Sequence, residues 1–97
     1  MSRLRRLVMD VLKPHEPSIM DLSKNIGQLP GIDGVDISVV EIDKKVENVK
    51  ITVEGPDINF EDVEKIITEN GGAIHSIDKV STGRRIVEEA DTPQDAI

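Results

Sequence analysis

The chain has 97 residues, of which 37% are hydrophobic and 32% charged, and 19 Asp and Glu against 12 Lys and Arg leave a net charge of −7. A chain of this length makes one domain with a modest core. It has no cysteine, which excludes disulfides, thiolate metal sites and cysteine nucleophiles. The acidity argues against a nucleic-acid or anionic-membrane partner, both of which require a cationic surface. No long apolar run follows the basic residues near the start, so neither a signal peptide nor a membrane span is expected.

Leu4 to Leu12 is short, rich in Leu and Val and stopped by Lys13-Pro14, which predicts a buried strand. Leu7, Met9 and Val11 share one face of it, and Arg6, Val8, Asp10 and Leu12 the other. Ser18-Ile19-Met20-Asp21 has the form of a capping box, with Ser18 holding free N–H groups and Asp21 reaching back. Ile19, Leu22, Ile26 and Leu29 follow at helical spacing. Gly27 weakens that helix and Pro30-Gly31 ends it.

Past Gly34 the period becomes two. Val35, Ile37 and Val39 alternate with Asp36, Ser38 and Val40, and after Asp43-Lys44-Lys45 the residues Val49, Ile51 and Val53 alternate with Lys50, Thr52 and Glu54. Two such runs joined by a short polar turn predict a hairpin. Asn59 caps a second helix, with Ile58 and Val63 as a hydrophobic staple and Phe60, Val63, Ile66 and Ile67 as the buried stripe. Asn70-Gly71-Gly72 supplies its stop. A last strand runs from Ala73 to Val80, with a possible resumption at Arg85–Val87.

The order β-α-β-β-α-β predicts an α+β fold of the split, ferredoxin-like kind. Right-handed crossovers then give an antiparallel sheet of order 4-1-3-2 with both helices on one face. Residues 1–87 form this domain. Residues 88–97 carry Glu88, Glu89, Asp91 and Asp95 with no Lys or Arg, contributing −4 of the −7, and are expected to be an acidic tail, mobile or held by a neighbour.

Many functions share this fold, but two are excluded here. Base stacking on the central strands needs aromatics, and the only one is Phe60, on a helix. Soft-metal carriage needs cysteines. What remains is the loop Lys13–Ser18 and its neighbours at one end of the sheet, where Asp10, His15, Glu16, Glu41, His75 and Asp78 are candidate metal ligands. Carboxylates with imidazoles suit a divalent cation such as Ca²⁺, Mg²⁺ or Zn²⁺. Each of these residues also has an ordinary structural reading. His15 would be a hydrogen-bonded loop histidine, and Glu16 would complement the helix dipole. Asp10 would face solvent, pair with Lys50 or be a perturbed site group, and His75 and Asp78 would line an exposed edge. Arg3, Arg5 and Arg6 are expected to meet acidic residues. The face opposite the helices carries Val8, Leu12, Val40 and Ile42, too apolar for a wetted surface, and with the unpaired edges of the second and fourth strands it points to a homo-oligomer.

The stretches Arg5–Ser18, Val39–Asp43 and Gly71–Asp78 make the chain resemble, over residues 3 to 87, the archaeal family known as domain of unknown function 211. The resemblance implies a ferredoxin-like fold, a cytoplasmic archaeal setting and oligomers, and it carries over no catalytic residue. The sequence therefore supports a non-enzymatic oligomeric module that binds a divalent cation or small polar ligand at the 13–18 end. The alternative is an interaction module assembled through the open face, with the acidic tail docking a partner. Enzymatic acid–base work would fall to Asp10 with His15 or His75.

Overall fold

The computed structural model describes residues 2–88, so the acidic tail expected at 88–97 lies, except for Glu88, outside the described residues. The elements run β1 (Leu4–Pro14), α1 (Ile19–Gly27), β2 (Gly34–Ile42), β3 (Val46–Glu54), α2 (Phe60–Glu69) and β4 (Ala73–Thr82). The four strands form one antiparallel sheet in the order β2-β3-β1-β4, which is the expected order read from the other edge. This is the split β-α-β-β-α-β arrangement.

Alternation builds the core. Leu7, Met9 and Val11 of β1 stand opposite Val53, Ile51 and Val49 of β3. All six are buried against Leu22 and Ile26 of α1, Ile58, and Val63 and Ile67 of α2. Both helices begin where their caps dictate. The Asp21 N–H donates to Ser18 Oγ at 3.2 Å and the Asp62 N–H to Asn59 Oδ1 at 3.1 Å. Only the forward half of the first capping box forms, because no bond returns from the Asp21 side chain. Ile58 and Val63 both enter the core, as the staple requires. Gly71, at φ +82°, turns the chain out of α2.

Two boundaries and one register depart from expectation. β1 continues through Lys13 and Pro14, because β3 begins early enough, at Val46 and Glu47, to give both a partner. The resumed strand at 85–87 does not form, and β4 ends at Thr82. The hairpin also carries a register shift at Val40. That bulge puts Ile42 opposite Glu47, on the helix side, so the sequence expectation that Ile42 lies on the open face is corrected.

The helices are short for the sheet. Nine and ten residues give axes of about 14–15 Å, whereas the eleven residues of β1 extend about 36 Å. The sheet therefore overruns its helices at both ends. At the end where β1 starts, the loop after α1 crosses the loop after β3. There Asp57 N–H donates to Gly31 O at 3.2 Å and Asp33 N–H to Glu54 O at 2.8 Å. A Cβ on Gly55 would lie 2.1 Å from Gly31 O, while one on Gly34 meets nothing within 4 Å. Gly55→Ala is expected to lower stability by about 2–3 kcal/mol by overpacking. Gly34→Ala should shift it by under about 0.5 kcal/mol. Urea unfolding midpoints of the two variants check this, and equal midpoints would contradict it.

Candidate functional site

Beyond the helices, at the far end of β1, the helix side of the sheet turns polar. Lys13 follows Leu7, Met9 and Val11 on the buried face and is 1% exposed, the one buried charged side chain among the described residues. Its ammonium donates to Pro14 O at 2.6 Å, to His15 O at 3.5 Å and to Glu47 Oε1 at 3.2 Å. Glu47 stands directly across from Lys13 in the β1–β3 register. Its second oxygen accepts from His15 Nδ1 at 3.2 Å, and His15 Nε2 lies 2.9 Å from Lys44 O.

Both partners of His15 are oxygens that only accept. Each ring nitrogen must therefore carry a proton to make its bond, so the arrangement is satisfied only by imidazolium. The Glu47 carboxylate, and after it the Lys44 carbonyl, hold the His15 pKa above the usual imidazole value. In turn His15, and then Lys13, hold Glu47 below the usual carboxylate range against the opposing effect of its burial. No lone pair of His15 is left for a metal, and the nearest side chain to share Glu47 is a cation. The group is a latch that ties the loop after β1 to the hairpin turn. The Glu16–Pro17 peptide in that loop is cis.

The other candidate ligands lie elsewhere. Asp10 is half-buried on the open face, opposite Lys50 of β3 and Ser76 of β4, and makes no ion pair with Lys50. Ser76 Oγ lies 2.9 Å from Asp78 Oδ1 and 3.4 Å from Asp10 Oδ2. His75 and Asp78 are the residues left over at two register shifts of β4 and are exposed. Glu16 and Glu41 are exposed as well. Among the described residues no three His, Asp or Glu side chains stand close enough to hold a metal ion, so the six candidates do not converge on one ligand set. Of the three arginines expected to meet acidic residues, Arg6 does, pairing with Glu54 at 2.8 Å and Glu88 at 3.4 Å within its own chain, whereas Arg3 and Arg5 pair with none among the described residues.

Sequence reasoning passed over Lys13 and Glu47. The signal was present, because both fall on the parity of their strands that carries the core residues, and a charge of each sign at that parity marks a buried pair.

A family model described as Uncharacterized ArCR, domain of unknown function 211, matches residues 5–96. The chain belongs to this family. It is also similar to Uncharacterized protein MJ0319 of Methanocaldococcus jannaschii, at 53% identity over 95 residues, covering 98% of each chain. The family match takes in the whole latch, from Lys13 to Glu47. No helix among the described residues is long and apolar enough to cross a membrane.

The latch fixes a pH dependence. The raised His15 contributes stability that is fully present below its unfolded value of about 6.5 and is lost as pH rises through its folded value. The lowered Glu47 contributes stability present above its unfolded value and lost as pH falls through its folded value. The latch is therefore strongest between these limits, in mildly acidic solution. Thermal unfolding of the wild type is expected to show a higher midpoint at pH 6 than at pH 8, and His15→Gln should remove that increment. Glu47→Ala, which strands the buried Lys13, is expected to cost about 3 kcal/mol. An unchanged urea midpoint would contradict the latch.

Proposed function

We propose that the protein is a non-enzymatic module that assembles with its own copies, the β2 margin of one copy seated on the β4 margin of the next. One observation carries this reading. The two outer strands expose apolar side chains on opposite margins of the sheet: Val40 and Ile42 are 60% and 65% exposed on β2, and Ile77 and Val80 are 50% and 56% exposed on β4. Ile42, Ile77 and Val80 share the helix side, opposite Glu47, Met9 and Leu7 in register, where the short helices do not reach. Exposed apolar margins on unpaired edge strands favour association. Because the two margins are different surfaces, their contact is heterologous, and such contacts close into rings when the rotation allows. The register shifts at Val40, His75 and Asp78 interrupt both edge ladders, so side-chain packing holds the copies together rather than a continued sheet.

A second reading, a divalent cation such as Ca²⁺, Mg²⁺ or Zn²⁺ or a small polar ligand, draws support from Asp10, Ser76 and Asp78 on the open face. One hydroxyl proton stands between two carboxylates and can serve only one of them at a time. A hard cation accepting oxygens from both carboxylates would relieve that competition.

Light scattering after gel filtration is expected to give a multiple of 10.7 kDa. Val40→Asp with Ile42→Asp, or Ile77→Asp with Val80→Asp, should each reduce the mass to one chain. An equimolar mixture of the two variants should stop at two chains, since only one intact margin of each kind remains. A monomeric wild type ends the assembly reading, and dimers of either variant alone end the head-to-tail form of it. For the second reading, calorimetric titration with Ca²⁺, Mg²⁺ and Zn²⁺ should give saturable heat that Asp10→Asn with Asp78→Asn abolishes. Silence with all three ions sinks it.

A further inference from the structure

The arginines of the chain are Arg3, Arg5, Arg6, Arg84 and Arg85. All five flank the start of β1 and the end of β4, at the end of the sheet opposite the latch. A cavity of about 750 Å³ opens there, lined by Ser2, Arg3, Arg5, Pro56, Gly83 and Arg84.

The five guanidinium groups are not equivalent. Arg6 is neutralised by Glu54 and Glu88. Arg5 is half-buried and fixed in place, its Nε donating to Gly55 O at 3.0 Å and its Nη1 to the carbonyls of Gly83, at 3.4 Å, and Arg84. These bonds leave the two hydrogens of Nη2 without an acceptor among the described residues. Arg3, Arg84 and Arg85 make no ion pair among the described residues, and Asp57, next to Pro56, pairs with none of them. Three of the guanidinium groups thus line one cavity with no carboxylate of the described residues set against them, in a chain that carries an excess of seven negative charges.

Guanidinium presents paired N–H donors in a planar fork that matches the oxygens of phosphate, and it keeps its charge at any working pH. The Nη2 donors of Arg5, already held in place by the bonds of Nε and Nη1 to backbone carbonyls, lose little freedom on binding. The volume lies in the range of small-molecule sites. The lining holds neither an aromatic nor a large aliphatic side chain, so it recognises charge and offers no platform for a base or a lipid chain.

We propose that this cavity binds a small phosphate-bearing molecule through its phosphate oxygens, with Arg5 as a fixed donor through Nη2 and the forks of Arg3 and Arg84 closing on the anion. The site is separate from the margins and from the open face, and it does not depend on the assembly reading.

Calorimetric titration of the full chain with inorganic pyrophosphate, at constant ionic strength, tests the proposal. One saturable site is expected. Arg3→Gln with Arg84→Gln should weaken it at least tenfold with an unchanged urea midpoint. Lys24→Gln with Lys65→Gln, which removes the same net charge from the helix surface, should leave it intact. Absence of saturable heat overturns the proposal, and so does equal weakening by both pairs, which would mean bulk electrostatics. Binding that appears only after removal of residues 89–97 also overturns it, because the acidic segment of the chain itself would then be the occupant.

Discussion

Two helices of nine and ten residues cannot cover a sheet whose central strand has eleven. A helix advances about 1.5 Å per residue and a strand about 3.3 Å, so the strands outrun their cover by more than half of their length. Between the helices and β1 and β3 the arrangement is dry, and every core residue from Leu7 to Val53 lies there. Outside that zone the same alternation continues beyond the reach of the helices. The chain resolves this differently in each direction. At the far end of β1 it places Lys13 and Glu47 on the buried parity, sets His15 of the following loop beside them and lets the three satisfy one another. At the near end it gathers its arginines. Along the two margins it leaves apolar side chains exposed.

The latch shows why a charge can sit at a core parity without ruining the fold. Lys13 is as buried as Met9, yet its ammonium has a carboxylate and two carbonyls within reach. Replacing the group with apolar residues of similar volume would in general be neutral or stabilising. What the polar version adds is register. Lys13 opposite Glu47 specifies the pairing of β1 with β3, and His15 joined to Lys44 O pins the hairpin turn to the loop before α1. A slip of one residue would bury an unpaired charge.

Most of the fold was legible because hydrophobic period and caps agreed at every element: Leu7, Met9 and Val11 at period two, Leu22 and Ile26 at helical spacing, Ser18 and Asn59 at the helix starts. The site was legible only in part. His15 was singled out as an imidazole in a loop, and whether it ligates or latches depends on Glu47, whose position across from Lys13 is a fact of register. The bulges were invisible for a related reason. A β-bulge inserts one residue without changing composition, so Val40 shifted Ile42 to the helix side, and His75 and Asp78 dropped out of the alternation that had placed them. Resemblance to the family fixed the fold and was silent about both.

Charge is distributed as unevenly as cover. Helix α2 exposes Glu61, Glu64 and Glu69, whereas no arginine lies between Arg6 and Arg84. Lysine is a flexible, strongly hydrated cation suited to open surfaces, and arginine a planar donor suited to fixed geometry. The chain's lysines run from Lys13 to Lys79, through turns, helices and strands, whereas its arginines meet where the start of β1 and the exit from β4 come together, and there the carbonyls of Gly55 and Gly83 hold Arg5 in place. Those carbonyls belong to the residues that follow β3 and β4. Helices that cover only the middle of the strands thus leave both strand ends to polar groups, the latch at one and the arginines at the other.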